Sequence, residues 1–128
     1  MKKPMPSEQD TRSYEGRCHC GAVRFRFRSE VITEGRRCNC SICTRKGTVM
    51  SARYYGPDEF EIAEGRHALS VYRFGDNVVN HYFCKSCGVY PFHDGTGDYQ
   101  GRYRVNLGCV DGLDVFALEV TIIDGRSY

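Results

Sequence analysis

The chain has no apolar run long enough to cross a bilayer, which takes about 20 consecutive apolar residues. Residues 1–11 carry two lysines and two prolines but no apolar stretch, so we expect no signal peptide. A net charge of +2 over 128 residues is too small to indicate a nucleic acid or a membrane as a partner. These absences predict a soluble, cytoplasmic protein.

Helical periodicity is also missing, since no stretch of 11 residues shows it. Three apolar residues instead alternate with three arginines: Val23, Arg24, Phe25, Arg26, Phe27 and Arg28. A period of two predicts a strand with one buried face and one solvated, arginine-lined face. Further strands are expected at 48–55, 59–62, 69–74, 78–83, 102–107 and 115–123, with a glycine-rich loop at 93–101. We therefore predict a mainly β, antiparallel fold.

The chain contains no repeat and no linker-like segment that would divide it. Residues 1–13 are polar and without periodicity, so we expect a flexible N-terminal tail. A single domain over residues 14–128 is predicted to follow, because this length suits one hydrophobic core.

Cysteine is abundant, and seven of the eight cysteines fall into three short clusters. The clusters are Cys18-His-Cys20, Cys38-Asn-Cys40-Ser-Ile-Cys43 and Cys84-Lys-Ser-Cys87. In a reducing cytosol, such clusters indicate metal ligands or reactive thiols more than disulfides. Glycines flank the central cluster, so we predict a loop folded over a metal there, neither a strand nor a long helix.

Zinc explains such clustering, because it binds four thiolates in a closed structural site and three in an open, catalytic one. The pair Cys84 and Cys87 resembles a zinc knuckle and needs a second pair. That pair is either Cys18 with Cys20, which leaves the central three as an open site, or two thiols of the central cluster. We prefer the first division because it uses all seven thiols.

The three cysteine clusters, with Phe83 before Cys84 and Gly88 after Cys87, resemble the glutathione-dependent formaldehyde-activating enzyme family, which also contains centromere protein V. The segment Val-Asn-Leu-Gly-Cys-Val-Asp at 105–111 resembles a late motif of that family, and the resemblance spans residues 14–118. It implies a zinc-pinned antiparallel fold of the β-tent kind. It also implies two zinc ions per chain, a structural one held by Cys18, Cys20, Cys84 and Cys87, and a catalytic one held by Cys38, Cys40 and Cys43.

The same resemblance implies a carbon–sulfur lyase that joins glutathione to formaldehyde. Four basic residues flank the central cluster and are candidates to bind the carboxylates of such a thiol: Arg36, Arg37, Arg45 and Lys46. They are equally well explained as solvated loop charges. The alternative function is a non-enzymatic zinc module that contacts protein or nucleic acid through the arginine face. The surplus three thiols favour the enzyme.

Among the remaining candidates, Cys109 is expected in the core, because it lies among apolar residues. His93 is the candidate for proton transfer. His81 is placed to support either metal site, and His19 is expected to point away from the metal or to hydrogen-bond a ligand.

Overall fold

The computed structural model describes residues 11–127, which form ten strands, one α-helix and several single-turn 3₁₀ helices. The strands are β1 Thr11–Arg17, β2 Arg24–Glu30, β3 Glu34–Cys38, β4 Met50–Ser51, β5 Phe60–Glu64, β6 Leu69–Tyr72, β7 Val79–Cys84, β8 Phe92–Gly95, β9 Tyr103–Val105 and β10 Glu119–Ile123. The helix, α1, spans Ser41–Lys46. No helix within residues 11–127 is long and apolar enough to cross a membrane.

The strands form three sheets, in the orders β1-β2-β5, β10-β3-β4 and β6-β7-β8-β9. All pairs are antiparallel except β10 with β3, which run parallel. The prediction of a mainly β, antiparallel fold is confirmed, with this one parallel pair as the addition.

Strand β2 has the alternation that its sequence predicts. Phe25, Phe27 and Ser29 are buried, whereas the arginines between them are exposed. On that outer face Arg26 forms an ion pair with Glu61 of β5 (2.9 Å), and Arg24 lies 3.9 Å from Glu64. The arginine row is therefore a solvated sheet face of mixed charge.

The core is a cluster of aromatic rings between the first and third sheets. Phe25 and Phe60 meet Phe92 edge-on at centroid distances of 5.4 and 5.3 Å. Tyr103 stacks on Phe60 at 4.2 Å. Because edge-on and offset-stacked pairs are favourable ring geometries, this cluster fixes how the two sheets face each other. Each sheet carries part of one cysteine cluster at its end.

The strand β1 was not predicted, since the first strand expected from the sequence was the one at residues 23–28. Residues 11–13, which we assigned to the tail, pair with β2, since Thr11 lies opposite Glu30 and Ser13 opposite Arg28. A polar sequence can form this strand because its hydrogen bonds go to a neighbouring strand and one of its faces is solvated. The rest of the expected tail, residues 1–10, lies outside the described residues.

The central cysteine cluster is not the continuous loop that we expected. Cys38 is the last residue of β3, and Cys43 lies in α1, which ends at Gly47 in a left-handed conformation (φ 64°). The strand persists to Cys38 because β10 pairs with it, Ile123 lying opposite Cys38. That pairing joins residues far apart in the sequence, so local composition does not reveal it.

The predicted glycine-rich loop at 93–101 is partly wrong, because His93 and Asp94 belong to the buried strand β8. The strands expected at 48–55 and 115–123 are shorter in the structure, where they are β4 (Met50–Ser51) and β10 (Glu119–Ile123). The strands expected at 69–74 and 78–83 form as β6 and β7, which pair as a hairpin with its turn at residues 75–76.

Candidate metal centres and a buried polar network

Four cysteines, named here the quartet, come together where the first and third sheets meet: Cys18, Cys20, Cys84 and Cys87. Their sulfur atoms all lie within 4.8 Å of one another. Cys18 and Cys20 lie in the turn after β1, Cys84 ends β7, and Cys87 lies in the following turn. This is the first of the two divisions that the spacing left open.

The spacing of the quartet fits a tetrahedral ion. Cys20 Sγ lies 3.6 Å from the sulfurs of both Cys18 and Cys84. Four thiolates at zinc–sulfur distances of about 2.3 Å would be about 3.8 Å apart. Gly88 follows the knuckle with φ 76°, a conformation that favours glycine, and its N–H donates to the Cys84 carbonyl at 2.8 Å. The donor set could therefore hold a metal ion.

Backbone hydrogen bonds favour charged sulfur in the quartet. Burial raises the pKa of Cys87, but hydrogen bonds from the backbone N–H groups of Cys20 and Val89 outweigh it and bring the pKa to about 6. The backbone N–H of Val23 also lies 3.3 Å from Cys18 Sγ. The backbone N–H of Ala22 lowers the pKa of Cys20, but hydrogen bonds with the neighbouring thiols outweigh it and bring that pKa to about 11. Thiolate, the metal-binding form, is therefore favoured at Cys87 and not at Cys20.

Three further cysteines, named here the trio, form a second cluster: Cys38, Cys40 and Cys43. Their sulfurs lie within 4.8 Å of one another, and all three residues are half-buried. Cys40 is the N-cap residue of α1, so the helix brings Cys43 back beside it. Burial raises the pKa of Cys40, but hydrogen bonds from Cys43 outweigh it and the net pKa is lowered. The trio offers three ligands to a metal ion.

The segment after β10 fastens the trio from outside. The Asn39 amide donates to Asp124 (3.0 Å) and accepts from the backbone N–H of Arg126 (2.8 Å). Gly125 packs so closely that an added Cβ would collide with Cys38 Sγ and lie 3.3 Å from Cys40 Cβ. The sequence analysis missed this segment, since nothing in its composition connects it to the cysteines.

The four basic residues expected to bind substrate do not form one patch. Arg36 pairs with Glu34 (2.9 Å), and the exposed Arg45 donates to the Ser41 carbonyl (2.9 Å). Arg37 lines an apolar cleft of about 600 Å³ beside β10. Lys46 alone turns inward, where its Nζ lies 3.9 Å from the centre of the Tyr90 ring.

Behind Lys46 lies a chain of hydrogen-bonded rings, named here the ring chain: His81, Tyr90, His93 and Tyr54. Tyr90 Oη lies 2.6 Å from His81 Nδ1 and 2.9 Å from His93 Nδ1. His93 Nε2 lies 3.5 Å from Tyr54 Oη. The sequence analysis singled out both histidines but missed both tyrosines, which carry no motif.

Both histidines of the ring chain are held neutral. Burial, together with the nearby Lys46 charge, lowers the pKa of His81 to about 4. Burial also lowers the pKa of His93 well below its usual value, assisted by Lys46, His81 and Arg104. Burial raises the pKa of Tyr90, so its hydroxyl stays protonated.

The other candidates lie apart from this network. Cys109 is buried in the core, as predicted. His19 is exposed beside the quartet. His67 is exposed as well, and its carbonyl accepts a hydrogen bond from Lys85.

A cleft of about 370 Å³ lies next to the trio, between α1 and the tip of the β6–β7 hairpin. Its walls are Ser41, Ile42 and Arg45 on one side and the rings of Tyr72 and Phe74 on the other. Phe74 also stacks on His81 at 5.7 Å, which joins the cleft wall to the ring chain. The volume is within the range of small-molecule pockets, about 300–1,000 Å³.

Fold and site together define a small, mainly β domain with two cysteine clusters able to bind metal. The family model described as glutathione-dependent formaldehyde-activating enzyme matches residues 13–123. The chain belongs to that family.

One relative is a protein from Halomonas elongata, whose name assigns it provisionally to glutathione-dependent formaldehyde activation. It is 35% identical over 79 residues, which cover 57% of this chain and 50% of the relative. The chain thus matches about half of that relative's length. A crystal structure of a Rhodobacter sphaeroides protein superposes with a TM-score of 0.70 at 29% identity, covering 84% of this chain and 99% of that one.

Proposed function

We propose that this protein is a zinc-dependent carbon–sulfur lyase that joins the thiol of glutathione to formaldehyde or a related small carbonyl. The observation that carries the proposal is the trio, which offers three thiol ligands beside a cleft and a buried lysine. Three protein ligands are typical of catalytic zinc, whose remaining position is left for water or substrate.

The two clusters would hold two zinc ions with different tasks. The quartet would complete the shell of a structural ion and join two sheets. The trio would hold the second ion, and three thiolates leave it with a net charge near −1, so it is better suited to receiving a thiol than to polarising a carbonyl. When bound, this zinc would lower the pKa of the incoming thiol from its free value of about 8.5.

The chain's own residues would position the two reactants. The cleft between α1 and Tyr72 and Phe74 would take the thiol compound, with its sulfur toward the trio. Arg45 at the cleft wall would meet a substrate carboxylate, since guanidinium groups pair well with carboxylates. Arg36 and Arg37 do not line this cleft, since Arg36 pairs with Glu34 and Arg37 lines the separate cleft beside β10. Holding the sulfur next to the carbonyl carbon would accelerate the reaction through proximity.

The test is the rate of adduct formation with purified, zinc-loaded protein. Thiols add to formaldehyde without any enzyme, so the uncatalysed rate is measured at each concentration and subtracted. We expect a rate above background with wild-type protein and none with Cys40→Ser. A rate equal to background would contradict the proposal. Activity with another thiol but not with glutathione would retain the chemistry and change the substrate.

The alternative, a zinc module that docks a partner through the arginine face, is less favoured by the contacts of that face. Arg26 is paired with Glu61, and Arg24 lies near Glu64, so half or more of the positive charge is offset. We also propose, from the unpaired cysteines, that the protein works in a reducing compartment such as the cytoplasm. Residues 14–128 would act as one domain.

A further inference from the structure

Lys46 is a buried cation that lacks a polar partner. Its Nζ is shielded from solvent, and no group among residues 11–127 accepts a hydrogen bond from it. It lies over the face of Tyr90, in a cation–π interaction at 3.9 Å. Burying an ammonium group without hydrogen bonds is costly, so a structural role alone explains this position poorly. An acceptor atom brought by a ligand would satisfy the group.

The lysine lies on the same side of α1 as one member of the trio. Lys46 and Cys43 are three residues apart on α1 and therefore lie on one side of the helix. Burial lowers the pKa of Lys46, and the negative charges of Cys43, Cys40 and Cys38 offset only part of that effect. A ligand atom that meets Nζ would thus lie close to whatever the trio holds.

Tyr90 positions Lys46 and is not itself free to act as an acid. Its hydroxyl is shared between two neutral histidines, so it donates to one Nδ1 and accepts from the Nδ1–H of the other. Both hydrogen-bonding directions of the oxygen are then occupied. What Tyr90 offers the site is its ring face, held rigidly beneath Nζ by the histidines on either side.

We propose that Lys46 Nζ binds the oxygen of the carbonyl substrate and stabilises the negative charge which that oxygen gains when the thiolate attacks. This inference rests on the proposed function. A sulfur lone pair forms the carbon–sulfur bond, the π electron pair of the carbonyl moves onto oxygen, and the ammonium group donates a hydrogen bond to it. The oxygen finally takes up one proton, which balances the proton lost by the thiol, and the product is a hydroxymethyl thioether.

The chemistry of the site favours binding of the carbonyl oxygen by Lys46 over binding of a second substrate carboxylate. A carbonyl oxygen bonded to the reacting carbon lies within about 3 Å of the incoming sulfur, so its binding group must be near the trio, and Lys46 lies about one helical turn from Cys43 on α1. Arg45 and Arg37 face clefts that can take larger groups, whereas Lys46 is enclosed. An enclosed cation strengthens the stabilisation of a developing oxyanion, because little water competes with it.

The experiment compares Lys46→Met, which removes the charge, with Lys46→Arg, which keeps it. We expect Lys46→Met to lower kcat/KM for formaldehyde about 100-fold, the scale measured for losing one oxyanion donor, and Lys46→Arg to recover part of it. In cobalt-substituted protein, the visible-spectrum response to glutathione should be the same in wild type and Lys46→Met, because thiol binding does not use Lys46. Arg28→Met, which removes one exposed cation on β2, should leave the rate unchanged.

The outcomes distinguish the role of Lys46 from the proposed function. An active wild type with an equally active Lys46→Met overturns the role of Lys46 and leaves the proposed function standing. A Lys46→Met variant whose cobalt spectrum no longer responds to glutathione would assign Lys46 to thiol or carboxylate binding instead, which also overturns it. A wild type with no rate above background removes both proposals. Should Lys46→Met fail to fold, by circular dichroism, Lys46→Gln replaces it with the same expected loss.

Discussion

At the scale of single residues, the chemistry was easier to predict than its surroundings. Cysteine clusters can be recognised in a sequence by their spacing. The structure brings Cys18 next to Cys84, 66 positions later in the chain, as one of the two predicted divisions requires. Tyr90 and Gly125 gave no such indication. The role of each residue depends on contacts with a distant part of the chain. Such contacts cannot be read from a single sequence.

Gly125 provides a residue-scale prediction. We expect Gly125→Ala to weaken metal binding by the trio about tenfold or more, the cost of disturbing the shell around a metal ligand, because its Cβ would displace Cys38 Sγ. The measurement is zinc content during stepwise chelation. Gly56→Ala is the control, since its Cβ would approach only two side-chain oxygens, those of Asp58 at 3.2 Å and Glu59 at 3.9 Å. Equal zinc retention in both variants would contradict this view of Gly125.

At the scale of elements, the two cysteine clusters differ in what they connect. The quartet takes ligands from the turn after β1 and from the end of β7, so it joins two sheets. The trio comes from one short stretch of chain: Cys38 ends β3, Cys40 is the N-cap residue of α1, and Cys43 lies in α1. Loss of the contacts within the quartet would therefore separate two sheets, whereas loss of those within the trio would disturb only one short segment.

This difference predicts unequal effects of two cysteine substitutions. Cys84→Ser should unfold the domain, because structural zinc contributes about 10 kcal/mol or more in small zinc domains, and a domain's whole stability is about 5–15 kcal/mol. Cys40→Ser should retain the circular dichroism spectrum of wild type and lose the second metal alone. Thermal melts of both variants check this. If Cys40→Ser melts as early as Cys84→Ser, the division into structural and catalytic sites is wrong.

The prediction of strands was correct where the sequence pattern of one strand determines which of its residues are buried. It was wrong where pairing with a neighbouring strand determines the structure. The alternation of β2 is a local property, and Phe25 and Phe27 are buried as expected. The strand character of Cys38 depends on β10, and that of His93 depends on pairing with His81 and Arg104. Short polar or glycine-containing strands are identified by their neighbours, and the neighbours lie far away in the sequence.

At the scale of the whole molecule, the buried histidines make stability depend on pH. The pKa of His81 is about 4 in the folded protein against 6.5 ordinarily, so between these values the unfolded chain binds more protons. The free energy of unfolding should therefore fall as the pH drops from 6.5 toward 4, by up to about 1.4 kcal/mol per pH unit for each such histidine. His93 adds to this in the same direction.

The measurement is the melting temperature between pH 7 and pH 5 for wild type and His81→Asn. Thiolates also lose metal in acid, so the comparison of the two slopes, rather than either slope alone, isolates the histidine. We expect the variant to start less stable at pH 7, because the hydrogen bond to Tyr90 is changed, but to lose less stability per pH unit. Parallel slopes would show that His81 does not titrate in this window.

The parallel pairing of β10 with β3 also has a consequence for how the protein is made. Cys43 leaves the ribosome about 80 residues before the segment that fastens Asn39 and packs against Cys38. At about 5–20 residues per second, the trio is translated several seconds before its surroundings exist. The quartet has all its ligands once Cys87 has emerged. A growing chain thus completes the quartet before the trio has its surroundings, and the three thiols of the trio spend that interval without the segment that later packs against them.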